Sequence, residues 1–390
     1  MNTTRRIGLP RSLQLPTVPA VATPTARTRP LANGLLALAA VASALAVVEI
    51  GLRIAGYDPM GGFSQGRHRF LRSSANPDLS YGLVPGARGF AWNREMVINS
   101  HGFRDRERAL EKPPGTRRIV VIGDSITFAG SMETPFRFTE QLEAQLRAAG
   151  QSVEVLNLGV GGYDTLDEVA VLEQTGLAFD PDLVLLVFCI NDLGVYSANL
   201  EMLQVLERYG WLIRRSRLAQ LLTVRLDRAQ LGSQIDVLNR DEVLARNYAG
   251  RISPVSGDAA LDEAIAELSR LRAGLDGLPP FLGWYTSRTK LGRMRYAFQR
   301  LERAASEAGV PVLALIVPFL NEGNQARAYS LAYGMVAHEA QRLDFEVLNL
   351  ARAFRRRGLH RLREADLIHP NEDGHAAMAS ELREALGESW

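Results

Sequence analysis

The chain has 390 residues, of which 46% are hydrophobic and 23% are charged, so it can build one large globular domain or two modest ones. Its formal net charge of +2, and the lack of a basic tract interleaved with aromatic residues, argue against a nucleic-acid partner. Its one cysteine, Cys189, excludes a disulfide within the chain and a metal cluster built on cysteines.

An apolar stretch follows a basic amino-terminal segment. Residues 1–30 contain five arginines and no acidic residue, a composition typical of a disordered chain. Residues 31–48 are uncharged and apolar on every side of a helix, whereas a helix packed on a core is usually amphipathic. Residues 31–55 are therefore predicted to be a transmembrane anchor.

A cleaved signal peptide is the alternative, because Ala44, Leu45 and Ala46 form a small-residue cleavage site. The anchor is favoured, since the apolar helical pattern continues past that site. Arginines before the stretch predict a cytoplasmic amino terminus, with the rest of the chain outside the cytoplasm, periplasmic or at the cell surface. The chain would be secreted if residues 31–46 were removed as a signal.

The remaining chain divides by its pattern. Residues 56–114 are rich in Gly, Pro, Asn and Arg and are predicted to be an extended lead-in to a domain over residues 115–390. In that domain short apolar runs alternate with helical patterns, which predicts an α/β fold with a doubly wound, flavodoxin-like parallel sheet of five strands. The runs are RIVVIGDS, VEVLNLGVGG, LVLLVFCIND, VPVLALIVP and EVLNLARAF.

A helical insertion at residues 195–288 interrupts this alternation. It contains LEMLQVLERYGWLIRRSRLAQLLTVRL and LDEAIAELSRLRAGL, both helical by their periodicity. A packed helical insertion is the favoured interpretation. The first pattern combines Trp211 with neighbouring arginines, a composition that also suits a cap over an active site or a helix that lies on a membrane surface.

Ser125 directly follows the first apolar run, in the sequence Gly-Asp-Ser of residues 123–125. In a doubly wound fold this position lies at the sheet edge where ligands bind, and exposed backbone N–H groups there can hold an anion. A simple helix N-cap is the alternative explanation of this serine.

Glycine and asparagine residues end the next two runs. The sequence NLGVGGYD, residues 157–164, has three glycines that allow the backbone to approach a ligand, although a tight turn needs them equally. Asn191 ends the third run and can direct its amide into the same crevice, although asparagine is also an ordinary turn residue.

An aspartate and a histidine lie three residues apart in EADLIHPNEDGH, residues 364–375. His369 can remove the proton that makes a serine hydroxyl a poor nucleophile, and Asp366 can fix the tautomer of that histidine. A metal site of Asp366, His369 and His375 is the alternative, but no other His or Asp cluster completes it. His375 is instead expected to cap or pack the last helix.

These four segments together resemble the blocks of the SGNH hydrolases, the GDSL-type esterases and lipases. The matching sequences are GDSIT, NLGVGGYD, CIND and DLIHPNEDGH. The resemblance runs from about residue 99, in NSHGFRDRE, to the end of the chain without the insertion. The apolar anchor, this lead-in and the insertion look like those of bacterial membrane-tethered members.

The resemblance implies a role for each residue. Ser125 would be the nucleophile, His369 the general base and then acid, and Asp366 its orienting carboxylate. The oxyanion hole would consist of the backbone N–H groups of Ser125 and Gly162 and the side-chain amide of Asn191. Gly159 and Gly161 lie close enough in sequence to take the place of Gly162.

The resemblance also implies the SGNH hydrolase fold and a serine esterase or acylhydrolase that needs no metal and no organic cofactor. Its partner would be an ester-bearing small molecule, glycan or lipid, with a short acyl group on a carbohydrate or lipid favoured. An O-acyltransferase acting on envelope or exopolysaccharide glycans would use the same residues and is the first alternative. A catalytically silent glycan-binding or scaffold protein is the second.

Overall fold

The computed structural model describes residues 29–57, 69–194 except 77, 80 and 93, 210–212, 215–222, 241, 250–273, and 280–387 except 367. Most of the segment predicted to be disordered, residues 1–28, and much of the insertion therefore lie outside the described residues. Contacts divide the chain into two compact units, residues 1–56 and residues 57–390.

The first unit contributes one helix, α1 (Arg29–Ile54). Within it, Leu31–Ile54 is a stretch of 24 residues that is long and apolar enough to cross a membrane, and none of its apolar window is buried. A membrane anchor and a signal sequence both have this length and composition.

The second unit is an α/β structure. Within the described residues its strands, in chain order, are β1 (Leu71–Arg72), β2 (Gly82–Leu83), β3 (Arg88–Ala91), β4 (Arg94–Val97), β5 (Arg117–Gly123), β6 (Val153–Asn157), β7 (Leu183–Phe188), β8 (Val312–Ile316) and β9 (Glu346–Asn349). Its described α-helices are α2 (Ser125–Phe128), α3 (Phe138–Ala148), α4 (Thr165–Gln174), α5 (Ala259–Ala273), α6 (Pro280–Trp284), α7 (Arg288–Ala308), α8 (Ala326–Gln341), α9 (Ala351–Arg357) and α10 (Glu372–Leu386).

The central sheet confirms the predicted fold. Its five strands are parallel and run in the order β6-β5-β7-β8-β9, which is the flavodoxin-like order. Every residue of β7 and β8, and all of β5 after its first residue, is buried. Since neighbouring residues of a strand face opposite sides of a sheet, helices must cover both faces. The register of the parallel strands brings the carboxyl ends of β5, β6 and β7 to one edge.

The lead-in has more regular structure than its composition suggests. It contains two small antiparallel sheets, β1 with β2 and β3 with β4. Phe70, Tyr81 and Met96 are at most 1% exposed and belong to the same hydrophobic core as the central strands. The lead-in is thus part of the compact second unit.

Part of the insertion also packs on the core. Helix α5 lies where a helical pattern is predicted and packs against α8, with Leu261 and Leu268 fully buried. The earlier helical pattern of the insertion is described only at residues 210–212 and 215–222, where Trp211 is exposed.

Candidate active site

Ser125 begins helix α2 immediately after strand β5. Asp124 is the N-cap of this helix, and its Oδ1 accepts a hydrogen bond of 2.9 Å from the Ile126 N–H. A side chain at Gly123 would collide with Thr127 and with Val187 of β7, so glycine is required for the helix to approach the sheet. The hydroxyl of Ser125 is therefore held at the carboxyl edge of the sheet on a short, fixed turn.

Asp366 and His369 lie in one loop before helix α10. Asp366 Oδ1 accepts hydrogen bonds from the backbone N–H groups of Ile368, at 3.1 Å, and His369, at 3.0 Å. The other carboxylate oxygen, Oδ2, is hydrogen bonded to His369 Nδ1. The loop is tied to the turn after α2, because the Ser131 hydroxyl donates to Glu364 Oε1 at 2.5 Å.

The structure brings Ser125 and His369 into contact. His369 Nε2 lies 2.8 Å from Ser125 Oγ, although 244 positions separate the two residues. Because the ionised Asp366 can only accept, His369 Nδ1 carries the proton and Nε2 is the acceptor for the serine hydroxyl. A chain of hydrogen bonds from Ser125 through His369 to Asp366 can remove a proton from the hydroxyl.

The charges of Asp366 and His369 stabilise each other. Burial disfavours the charged form of each group, but the hydrogen bond and charge of His369 outweigh it and lower the pKa of Asp366 to about 2. Burial likewise acts against the imidazolium, yet the hydrogen bond and charge of Asp366, with Asp124 and Glu364, raise the pKa of His369. An imidazolium formed at His369 is thus stabilised.

The three glycines after β6 occupy different positions. A β-carbon at Gly159 would lie 2.6 Å from Thr127 Cβ and from the Phe128 nitrogen, so Gly159 lets this turn pack on α2. A β-carbon at Gly161 would lie 3.7 Å from Ser125 Cβ, which places that residue beside the serine. Gly162 has a φ of 88°, a conformation that favours glycine.

Two backbone N–H groups at this edge are available to a ligand. Among the described residues, neither the Ser125 N–H nor the Gly162 N–H has a hydrogen-bond acceptor in the protein. Ser125 occupies the first turn of a helix, where N–H groups have no partner within the helix. Unpaired donors of this kind can hold the oxygen of a tetrahedral intermediate.

Asn191 lies at the same edge. Its Nδ2 donates a hydrogen bond of 3.2 Å to Asp124 Oδ2, and the same oxygen lies 3.3 Å from Ser125 Oγ. Since the amide nitrogen carries two hydrogens, one remains for a ligand beside Ser125.

Tyr81 is a site residue that the sequence reasoning missed. Its hydroxyl, fully buried, donates a hydrogen bond of 2.5 Å to the carbonyl oxygen of Gly161. The C=O of Gly161 and the N–H of Gly162 belong to the same planar peptide and point in opposite directions. Tyr81 therefore fixes the direction of the Gly162 N–H.

Arg104 is a second such residue, within the sequence NSHGFRDRE. It is 5% exposed, and its guanidinium donates to the carbonyl oxygens of Phe128, at 3.1 Å, Ala129, and Met132, at 2.6 Å. These carbonyls lie at and just after the end of α2, where helices leave acceptors unpaired. Arg104 thus holds the carboxyl end of the short helix that carries Ser125.

Buried acidic groups lie beneath the site. Glu168 is 1% exposed, and neither of its carboxylate oxygens has a hydrogen-bond partner among the described residues. Burial, and then the nearby charges of Asp124, Asp164 and Asp167, raise its pKa well above the usual value. Burial and Glu168 do the same to Asp192. Burial thus disfavours the charged form of both groups.

His375 packs the last helix onto the domain. Its ring stacks on Phe138 with 6.0 Å between centroids, and its Nδ1 accepts from the Phe138 N–H at 3.3 Å. Burial, followed by the positive charges of His369 and two arginines, lowers the pKa of His375 to about 3. This neutral, packed histidine agrees with the expected packing role.

One group of side chains in the described part of the chain is close enough to share a metal ion, namely Asp258, His338 and Glu339. Arg295 makes a two-pronged ion pair with Glu339, at 2.7 and 2.8 Å, and Arg342 lies 2.5 Å from Asp258. These guanidinium groups already neutralise the carboxylates, so the group is an ion-pair network and a poor cation site.

The chain matches a known protein family. Residues 121–377 match the model of the GDSL-like lipase/acylhydrolase family, which is more than half of the chain. The chain belongs to this family. It is thus an ester hydrolase of the GDSL type, and its sheet order and N-terminal apolar helix are those expected from the sequence.

Solved structures are similar to the chain at low identity. A lipase/acylhydrolase from Enterococcus faecalis is 16% identical, with 69% of this chain and 95% of that chain covered and a TM-score of 0.39. A catalytic mutant of an acetylxylan esterase from Geobacillus stearothermophilus is 16% identical, with 70% and 94% covered and a TM-score of 0.37. No curated protein matches the chain.

Proposed function

We propose that the chain is a serine esterase that works through an acyl-enzyme, with Ser125, His369 and Asp366 as its catalytic residues. The contact of 2.8 Å between Ser125 Oγ and His369 Nε2 carries this proposal. The favoured substrate is an ester of a short acyl group on a carbohydrate or lipid.

In the proposed reaction Ser125 Oγ attacks the ester carbonyl carbon while His369 Nε2 takes the hydroxyl proton. The resulting oxyanion accepts hydrogen bonds from the N–H groups of Ser125 and Gly162 and from Asn191 Nδ2; removal of one such donor typically costs about 10²–10³ in rate. His369 then gives its proton to the leaving alcohol as the carbon–oxygen bond breaks. Water attacks the acyl-enzyme as His369 takes its proton, and His369 passes that proton to Ser125 Oγ as the bond to the acyl group breaks and the acid leaves.

We also propose that α1 anchors the enzyme in a membrane with the second unit outside the cytoplasm. The arginines that precede the apolar stretch support this orientation. If this orientation is right, protease added to intact cells should digest a second unit that lies at the cell surface. A periplasmic second unit should be digested once the outer membrane is permeabilised. Protection of this unit until the inner membrane is lysed would contradict it.

The replacement Ser125→Ala tests the reaction. It should abolish hydrolysis of 4-nitrophenyl acetate and labelling by a fluorophosphonate probe, because no other hydroxyl is placed against His369 among the described residues. Ser306→Ala is the matched control, since Ser306 lies on the surface of α7 and bonds only Glu302. Retention of most activity by Ser125→Ala would contradict the proposal.

The acyl acceptor is tested separately. A labelled acyl group should pass from Ser125 to water when a neutral glycan is added at millimolar concentration. Transfer of most of the label to the glycan would instead identify an O-acyltransferase with the same catalytic residues.

A further inference from the structure

A polar cavity, separate from the site at Ser125, lies beside the loop that carries Asp366 and His369. Its volume is about 280 Å³, and it is lined by residues from the segment after β8, from α9 and from the segment after α9. The polar lining residues are Asn321, Glu322, Arg355, His360 and Arg363. At about 4.8 Å between neighbouring strands, β8 lies roughly 10 Å from β5 along the sheet edge.

Arg363 has an unpaired guanidinium in this cavity. Its Nη1 is buried, and its side chain has no hydrogen-bond or ion-pair partner among the described residues. The backbone of Arg363 pairs with Pro370, the residue after His369, and the next N–H, of Glu364, donates to the carbonyl of His369 at 2.8 Å. Since the guanidinium of Arg363 has no hydrogen-bond acceptor among the described residues, an anion bound in the cavity would supply one.

The carboxylate in the cavity does not supply that anion. Glu322 is 2% exposed and forms a two-pronged ion pair with Arg355, at 2.7 and 2.9 Å. It also accepts from the Tyr333 hydroxyl at 3.2 Å. With Glu322 neutralised by Arg355, the charge of Arg363 is in excess.

The surface around the cavity is basic as well. Residues 351–363 contain six arginines, one histidine and no acidic residue. Arg357 is paired with Glu381, but three exposed arginines of this segment have no side-chain partner in the described part of the chain: Arg352, Arg356 and Arg361. We name residues 351–363 the basic segment.

A larger cavity elsewhere in the unit shows the opposite balance. Its volume is about 560 Å³, and its charged lining residues are Glu173, Glu307, Arg300 and Arg303. Arg300 is paired with Glu173 at 2.5 Å, and the charges of the four residues sum to zero. The excess positive charge beside the catalytic loop is therefore a local feature.

We propose that the cavity at Arg363, with the basic segment, binds the carboxylates of an acidic glycan. The planar guanidinium of Arg363 matches a carboxylate through two parallel hydrogen bonds, and its recessed position suits one anionic group of a flexible oligomer. A flat, anionic bilayer could reach the exposed arginines but not the part of the Arg363 side chain that lines the cavity. The choice of a glycan as the source of the anion rests on the proposed esterase function.

The test is binding by titration calorimetry of the full chain in a neutral detergent. Trigalacturonate should bind, maltotriose should bind at least tenfold more weakly, and added NaCl should weaken the first but not the second. Arg363→Gln should raise the Kd for trigalacturonate at least tenfold, because it removes charge-assisted hydrogen bonds from a buried site. Arg363→Lys should recover only part of the affinity.

Arg303→Gln is the matched control, since it removes an arginine from the charge-balanced cavity and should not change the Kd. Equal Kd values for the wild type and Arg363→Gln, with unchanged melting temperatures, would overturn the proposal. So would binding of inorganic phosphate or of dihexanoyl phosphatidylglycerol without binding of trigalacturonate. Hydrolysis of 4-nitrophenyl acetate, measured on the same preparation, tests the esterase function independently, because binding requires no turnover.

Discussion

Replacement of Asp366 by Asn should remove most of the catalytic rate without disturbing the loop. Asp366 Oδ1 accepts the backbone N–H groups of Ile368 and His369, and the carbonyl oxygen of an asparagine can accept both. The amide NH2 then replaces Oδ2 and faces His369 Nδ1. Because this NH2 can only donate, Nδ1 must become the acceptor and Nε2 must carry the proton, so Nε2 can no longer accept the proton of Ser125.

The magnitude separates this tautomer effect from the loss of charge. The pKa of Asp366 falls from 3.8 to about 2, which corresponds to about 2.4 kcal/mol at 1.36 kcal/mol per pKa unit. The Asp366 side chain is 47% exposed, so solvent screening reduces this interaction to about 1 kcal/mol, or roughly fivefold in rate. An Asp→Asn change in a Ser-His-Asp arrangement typically lowers kcat by about 10⁴. The wrong tautomer therefore accounts for most of the expected loss.

The assay is the pH dependence of kcat/KM for 4-nitrophenyl acetate. The base must be neutral, and the pKa of His369 is raised, so the acidic limb of the wild type should lie above pH 6.5. Asp366→Asn should lower kcat by 10³–10⁴, leave KM within about threefold, and move that limb to lower pH, because the imidazolium loses its stabilising charge. The control is Asp373→Asn, an exposed residue in the first turn of α10. A decrease in kcat below tenfold, or an unmoved limb, would refute the reasoning.

Three further changes test the residues that support the site. Tyr81→Phe removes the hydrogen bond to the Gly161 carbonyl and should lower kcat by about tenfold or more with little change in KM, since a misdirected Gly162 N–H weakens oxyanion binding. Stopped-flow measurement of the acylation rate tests this prediction, and an unchanged rate would contradict it. Arg104→Met removes the donors to three carbonyls at the end of α2 and should lower the free energy of unfolding by about 1–3 kcal/mol in urea titrations, because buried acceptors are left unpaired. Gly159→Ala should cost about 1–3 kcal/mol through overpacking against Thr127, whereas an unaltered urea midpoint would show that the turn can relax.

Much of the fold could be predicted from local pattern. Strands buried on both faces are continuously apolar, and the five runs that predict strands coincide with β5 to β9, to within one residue at the start of β5. The contact between Ser125 and His369 was also predictable, because parallel strands bring their carboxyl ends to one edge and the resemblance supplied the partners. These predictions needed only periodicity and the order of a few polar residues.

The supporting residues were not predictable in this way. Tyr81 reaches Gly161 across 80 positions, and Arg104 reaches Met132 across 28 positions, so neither contact leaves a local periodic signal. The choice among the three glycines after β6 also depends on tertiary packing, because the positive φ of Gly162 and the close approach at Gly159 follow from where the turn meets α2. A tyrosine and an arginine that are buried although they lie in a segment rich in Gly and Pro would be the signal for such a supporting role. The composition of the segment, which is typical of an exposed loop, hid that signal.

The lead-in therefore contributes to the proposed chemistry as well as to the core. When the oxyanion donor is a backbone N–H, no side chain in the sequence identifies it. The direction of that N–H is set by the group that hydrogen bonds to the carbonyl oxygen of the same peptide. Here that group is Tyr81, and the Tyr163 hydroxyl in turn donates to the Tyr81 carbonyl. Since Tyr81 precedes β5 by 36 positions, a fragment beginning at residue 115 would keep Ser125, His369 and Asp366 but lose the group that directs the Gly162 N–H. A fragment that supports the proposed reaction must consequently include Tyr81, as the compact unit of residues 57–390 does.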